Sequence, residues 1–183
     1  MAITDGMRTA ILLALAFGVA NGIVKGWVGK FGYSYKVFEG NDTFDEAEAK
    51  CVAEGGHLVS IHSDEENEFV YEISMTNMVS TDYRDFTWIG LRQENWPKVE
   101  KWTWTDGTPV DYLNWAPGEP DDIQKKEHCV ELYNNPDVKL PNAVSKKWND
   151  YFCYHKMKGY VCKKKSDSTC CLPKELKEKL LKA

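Results

Sequence analysis

Several features that would assign the chain to a common functional class are missing from its sequence. Positive charge is not in excess: the formal net charge of −5 argues against a nucleic-acid-binding protein, which would show a basic face. The hydrolase motifs G-x-S-x-G and H-E-x-x-H are absent, which argues against an enzyme of those classes. Internal repeats and low-complexity segments are also absent. The 183 residues therefore predict one globular domain with terminal segments.

Long apolar runs are missing as well. The longest covers eleven residues, 10–20 (AILLALAFGVA), whereas a membrane-spanning helix needs about 20, so no membrane span is predicted. Arg8 precedes the run and small residues follow it, which is the pattern of a signal peptide over residues 1–22. We therefore expect a secreted, extracellular protein. A cut after Ala20, a start at Met7, a buried N-terminal helix and an uncleaved anchor remain alternatives.

Six cysteines are present, and an even number in a secreted chain indicates disulfide bonds. Their spacing leaves the connectivity open, and zinc binding is disfavoured because no C-x2-C pair occurs. Cys170 and Cys171 lie in a Lys-rich tail, residues 166–183. Because neighbouring cysteines pair with each other only under strain, these two are candidates for a disulfide-linked homo-oligomer. Asn41 begins an Asn-Asp-Thr sequon, which predicts N-glycosylation.

Residue patterns predict an α+β protein, with two helices in the first half and most strands in the second. Capping boxes at Thr43/Glu46 and Ser63/Glu66 mark the two helix starts, and a Gly-Gly pair ends the first helix. Alternating or continuous apolar segments predict strands near residues 31–39, 57–61, 88–91, 102–104, 129–132, 147–153 and 160–162.

A long polar loop, residues 113–128, lies between two of these strands, and such a loop in a compact domain is usually functional. If Cys129 pairs with Cys153, the disulfide draws this loop toward a later segment. Five oxygen-bearing side chains then converge: Glu119, Asp121, Glu127, Asn149 and Asp150. Calcium takes six to eight oxygen ligands, so the set predicts a calcium site with places left for a ligand. Magnesium is less suited to such a loop because it requires stricter octahedral geometry. The alternative to a metal site is a solvated acidic loop that binds no ion.

These segments together resemble the C-type lectin domain of animal proteins, in its short form, over residues 31–165. The matching pieces are the first helix near Cys51, WIGL at 88–91, Trp-x-Trp at 102–104, Glu119-Pro120-Asp121, Glu127-His128-Cys129, Trp148-Asn149-Asp150 and Cys162. The resemblance implies two helices flanking small antiparallel sheets, with a long calcium-binding loop. It also implies the disulfides Cys51–Cys162 and Cys129–Cys153, and a cis Glu119–Pro120 bond.

In that family the sugar binds directly on calcium, where two adjacent hydroxyls replace water and each hydroxyl is served by one acid and one amide. The resemblance therefore implies a Ca²⁺ cofactor, glycans or glycoproteins as partners, and a calcium-dependent carbohydrate-binding function without catalysis. The implied sugar-binding residues are Glu119, Asp121, Glu127 and Asn149. Asp150 matches a pure metal ligand.

Position 121 departs from the family pattern. Relatives that resemble mannose binders have Glu-Pro-Asn, and those that resemble galactose binders have Gln-Pro-Asp, whereas this chain has Glu119-Pro120-Asp121. Both side chains are acceptors, so one sugar hydroxyl loses its donor, while the extra charge favours calcium. The retained Glu119 favours a mannose-type sugar. Asp121 also supports an alternative, a lectin-like domain for a protein or lipid ligand, which the intact Glu127 and Asn149-Asp150 argue against.

An auxiliary calcium site occurs in some relatives. Asp122 matches one of its ligands, and Glu127 is available for sharing. Gln93, Pro97 and His128 stand roughly where further acids would be needed. We therefore expect one calcium ion rather than two.

Overall fold

The computed structural model describes residues 26–76 and 78–166. The predicted signal peptide and the pair Cys170 and Cys171 lie outside these residues. Helices and strands follow in the order β1 (Val28–Lys30), β2 (Tyr33–Asp42), α1 (Phe44–Ala53), β3 (His57–Leu58), α2 (Asp64–Ser74), β4 (Val79–Ser80), β5 (Thr87–Arg92), β6 (Thr103–Trp104), β7 (Glu127–Leu132), β8 (Asp137–Val138), β9 (Trp148–Phe152) and β10 (Met157–Lys165). The predicted α+β class with two helices is confirmed.

One eight-stranded sheet organises the described residues, with its main path in the order β1-β2-β10-β5-β7-β9. Neighbours along this path are antiparallel except β10 and β5, which run parallel. Strands β4 and β8 form a separate parallel pair. The sheets are thus mostly antiparallel, and the first strand begins at Val28, ahead of the predicted domain start at residue 31.

Helix α1 begins at the first predicted capping box. Thr43 Oγ1 accepts from the backbone N–H of Glu46, and Glu46 Oε2 accepts from the N–H of Thr43 at 2.9 Å. Phe44 and Cys51 on the inner face are fully buried. The helix ends before Gly55, whose φ of +82° suits a residue without a Cβ.

Helix α2 has only half of its predicted capping box. Ser63 Oγ accepts from the N–H of Glu66 at 3.2 Å. The Glu66 carboxylate instead accepts from the N–H of His62 at 2.9 Å, because its other oxygen lies against Tyr35 and Lys163 in the interior. Glu66, which the sequence pattern predicts to be part of a local helix cap, is therefore a buried residue that contacts distant parts of the fold.

Two disulfides join distant segments. Cys51–Cys162 links α1 to β10, and Cys129–Cys153 links β7 to the residue after β9. Both pairs agree with those implied by the family resemblance. The second bond holds β7 and β9 together directly beside their acidic residues.

Among the described residues, no helix has both the length and the apolar composition needed to cross a bilayer.

Candidate functional site

The long loop is fixed against β9 by backbone contacts. The N–H of Ala116 donates to the carbonyl of Trp148 at 2.8 Å, and the N–H of Trp148 donates to the carbonyl of Asn114 at 3.0 Å. Trp148 is fully buried, so this junction is anchored in the core. The loop then turns, with a cis peptide bond between Glu119 and Pro120, and carries its acids back over β9.

Three carboxylates meet where the loop crosses β9. Glu119, Asp121 and Asp150 each offer one oxygen, and these oxygens lie within 4.8 Å of one another. Asp150 is fully buried and accepts from the backbone N–H groups of Asp121 and Asp122, at 3.1 and 3.0 Å. Glu119 Oε2 is buried and has no hydrogen-bond partner. An unpaired buried carboxylate oxygen beside two other carboxylates fits a cation-binding position.

The other two predicted ligands line the same groove as Glu119 and Asp121. Glu127 lies outside the tight cluster of three, and its Oε2 accepts from the N–H of Ile123 at 2.9 Å. Asn149 is nearly buried, and its Nδ2 donates to Glu131 at 3.0 Å. The structure thus gathers three of the five predicted ligands closely and places the remaining two on the groove wall.

Burial and mutual repulsion raise the pKa values of three of these acids, Glu119, Glu127 and Asp150. Burial, with the charges of Asp121 and Asp150, raises the pKa of Glu119 to about 7. Burial raises the pKa of Glu127 to about 8, and the neighbouring carboxylates add to this shift. Burial also raises the pKa of Asp150. A divalent cation would relieve this repulsion, and the oxygen-only donor set suits a hard ion such as calcium.

Sequence reasoning missed Glu131 and the aromatic part of the groove. Glu131 is fully buried and faces Asn149 across the β7–β9 pair. A charged residue within the otherwise apolar predicted strand 129–132 could have indicated a functional position. Tyr151 and Phe152 follow the Asn149-Asp150 pair directly, whereas Tyr83 comes from a distant 3₁₀ turn and gave no signal.

Residues around the possible auxiliary ion form a different arrangement. Asp122 Oδ1 accepts from the N–H of Glu127 at 3.1 Å. His128 Nδ1 lies 3.1 Å from Gln93 Oε1, and the His128 ring stacks on Trp96 with 4.7 Å between the centroids. Gln93 and His128, which carry no carboxylate, therefore occupy the region in which further acids would be required.

Residues 40–164 match the family model for the lectin C-type domain. The chain belongs to this family. The C-type lectin lectoxin-Lio2 of Erythrolamprus poecilogyrus is 35% identical over 145 residues, covering 78% of this chain and 80% of the relative.

Solved structures of C-type lectin domains are similar as well. The carbohydrate-recognition domain of cow CD23, crystallised with a GlcNAc2Man3 oligosaccharide, has a TM-score of 0.63 and 32% identity, covering 81% of this chain and 99% of that one. A calcium-independent type II antifreeze protein has a TM-score of 0.61 and 33% identity, covering 78% and 93%. C-type lectin domains are binding modules, which confirms the prediction that the chain is not an enzyme. Because an antifreeze protein shares this fold, the fold alone does not identify the ligand.

Proposed function

We propose that this C-type lectin domain binds carbohydrate in a calcium-dependent manner at the acidic end of the groove. The observation that carries the proposal is the convergence of Glu119, Asp121 and Asp150, with one buried Glu119 oxygen left unpaired. Three carboxylates held this close need a counter-charge, and each is a suitable calcium ligand. Glu127 and Asn149 would complete the set from the groove wall.

Bound calcium would supply open coordination places for two adjacent sugar hydroxyls. The chain's own groups would orient those hydroxyls. Glu127 is an acceptor, and Asn149 retains one amide hydrogen beyond the one given to Glu131, so this pair serves one hydroxyl. Glu119 and Asp121 are both acceptors and leave the second hydroxyl without a donor.

The missing donor sets the expected strength and specificity. A buried hydrogen bond left unmade costs about 1–3 kcal/mol, or about 5- to 150-fold in affinity. We therefore propose strong calcium binding with weaker sugar binding. The retained Glu119 favours a mannose-type sugar with vicinal equatorial hydroxyls.

A glycan array in calcium and in EDTA tests the proposal, with calcium affinity measured separately by titration calorimetry. We expect mannose-type signals that vanish on chelation and return with calcium. Glycan signals that persist in EDTA would contradict the mechanism. Calcium binding without any glycan signal would favour the alternative, a protein or lipid ligand, to which the acidic Asp121 is also suited.

Secretion, glycosylation and self-association complete the proposal. Asn41 is exposed at the end of β2, beside the buried Asp42, so its side chain is accessible to a glycan. The apolar run near the N-terminus supports secretion, and the adjacent Cys170 and Cys171 support a disulfide-linked homo-oligomer. Glycosidase treatment tests the glycosylation of Asn41. Gels with and without reductant test the disulfide-linked oligomer. A monomer band in both gels would dismiss a covalent oligomer.

A further inference from the structure

The groove that holds the acids does not end at them. Its volume is about 340 Å³, and besides the carboxylates it is lined by Tyr83, Tyr151, Phe152, Pro141 and Asn142. A volume in this range is typical of small-molecule sites. One groove thus holds both carboxylates and aromatic rings.

The aromatic side chains are held in place by one another. The rings of Tyr83 and Tyr151 stack with 5.9 Å between centroids and 29° between planes. Tyr151 also meets Phe152 edge to face at 5.5 Å. The Tyr83 hydroxyl donates to the carbonyl of Pro141 at 3.1 Å, which ties the 3₁₀ turn to the segment that holds Pro141. Rings that are already fixed lose little freedom when a ligand binds.

All three rings are half-buried, so part of each ring remains accessible to a ligand. They line the same groove as Glu119, Asp121 and Glu127. Burial, with the charges of Glu131, Glu119 and Asp121, raises the pKa of Tyr83. A ligand anchored at the carboxylates therefore reaches the rings without leaving the groove.

The mixed lining indicates the kind of ligand. A pyranose ring has an apolar face of C–H groups, which packs on aromatic rings, and a polar edge of hydroxyls. Asn142 offers an amide to such an edge, and Glu119 and Glu127 at the other end disfavour a purely apolar ligand. We propose that Tyr83, Tyr151 and Phe152 form a second subsite, and that the domain binds an oligosaccharide whose next ring packs there. This rests on the proposed function, because the first ring must occupy the acidic end.

Calorimetric titration of mannose and of an α-linked mannose trisaccharide, both in calcium, tests the subsite. We expect the wild-type protein to bind the trisaccharide at least about tenfold more tightly than mannose. Phe152→Ala should lower trisaccharide affinity more than mannose affinity, which removes about 3- to 10-fold of that preference. Phe152→Leu retains apolar volume without a ring and should lose nearly as much, which guards against a folding defect in the alanine variant.

Tyr154→Ala is the matched control, because Tyr154 is 62% exposed and does not line the groove although its ring neighbours Phe152. It should retain the trisaccharide preference. Equal wild-type affinities for mannose and trisaccharide, with both dependent on calcium, would overturn the subsite and leave the proposed function intact. No calcium-dependent binding of either sugar would overturn both, as would preferential binding of an aromatic peptide in the groove.

Discussion

The side-chain amide of Asn149 donates from Nδ2 to Glu131 Oε1 at 3.0 Å, across directly opposed positions of β7 and β9. Glu131 is fully buried, its other oxygen has no hydrogen-bond partner, and burial raises its pKa well above the usual range. One amide hydrogen of Asn149 is thus committed to the interior, which fixes the plane of the amide. The oxygen and the second hydrogen of Asn149 are then held for a ligand in the groove.

This bond makes Glu131 a positioning residue for the proposed site. Glu131→Gln keeps an acceptor for Asn149, so calcium and sugar affinity should stay within about threefold of wild type. Glu131→Leu leaves the Asn149 amide unpaired, at a cost of about 1–3 kcal/mol, and should weaken sugar binding by about 5- to 150-fold. Calorimetry on both variants measures this difference. Equal affinities for Gln and Leu variants would show that the bond does not orient Asn149.

Asp121→Asn should restore the missing donor for the second sugar hydroxyl. The gain in mannose affinity should be about 5- to 150-fold, which is the value of a buried hydrogen bond left unmade in the wild type. Calcium affinity should fall, because one carboxylate charge is removed. Asp111→Asn, an exposed change at a residue outside the acidic cluster, is the control and should alter neither affinity. A variant that binds mannose no better would refute our account of position 121.

Local features of the fold were predictable from the sequence, whereas features that depend on long-range register were not. The capping box at Thr43 and Glu46 involves residues three apart, so its pattern is visible in the chain. The Glu131–Asn149 bond depends on the pairing of β7 with β9, and Tyr83 reaches the groove from a separate turn. No periodic pattern encodes such contacts. The disulfides and the candidate ligands could be predicted from the family resemblance, because members of one family share the same pairing of strands.

Without calcium, the raised pKa values of Glu119 and Glu127 make stability depend on pH. Their pKa values are about 7 and 8 in the folded chain, against an ordinary value of 4.5 for a glutamate carboxyl. The folded state therefore binds more protons than the unfolded state between these values, and stability falls as pH rises through this window. Calcium binding needs the ionised carboxylates and stabilises them. We expect the rise in Tm caused by calcium to be larger at about pH 8.5 than at about pH 5.5.

Thermal melts in calcium and in EDTA at both pH values measure this effect. Glu127→Gln removes one titrating group, so its melting temperature in EDTA should vary less with pH than that of the wild type. A calcium-induced rise in Tm that is equal at both pH values would contradict the assignment of these acids to the cation site.

The buried ion pair of Lys163 and Glu66 lies among separate elements of the fold. Lys163 Nζ is 2.7 Å from Glu66 Oε1, and the two side chains are only 3% and 7% exposed. Lys163 Nζ also donates to the carbonyl of Ser60 at 2.9 Å, and the Tyr35 hydroxyl donates to Glu66 at 2.5 Å. The contacts thus join β10, α2, β2 and the segment after β3.

Lys163→Met should lower the free energy of unfolding by about 3–5 kcal/mol, because it leaves the Glu66 carboxylate buried without its cation. Adding Glu66→Gln removes that charge and keeps one of the two acceptor oxygens that Tyr35 and His62 use, so the double variant should recover part of the loss. Lys164→Met is the control: its side chain is only partly buried and donates to the carbonyl of Glu54. Urea denaturation measures all three. A Lys163→Met loss no larger than that of Lys164→Met would mean that the uncompensated charge is relieved by water, and that the pair does not stabilise this junction.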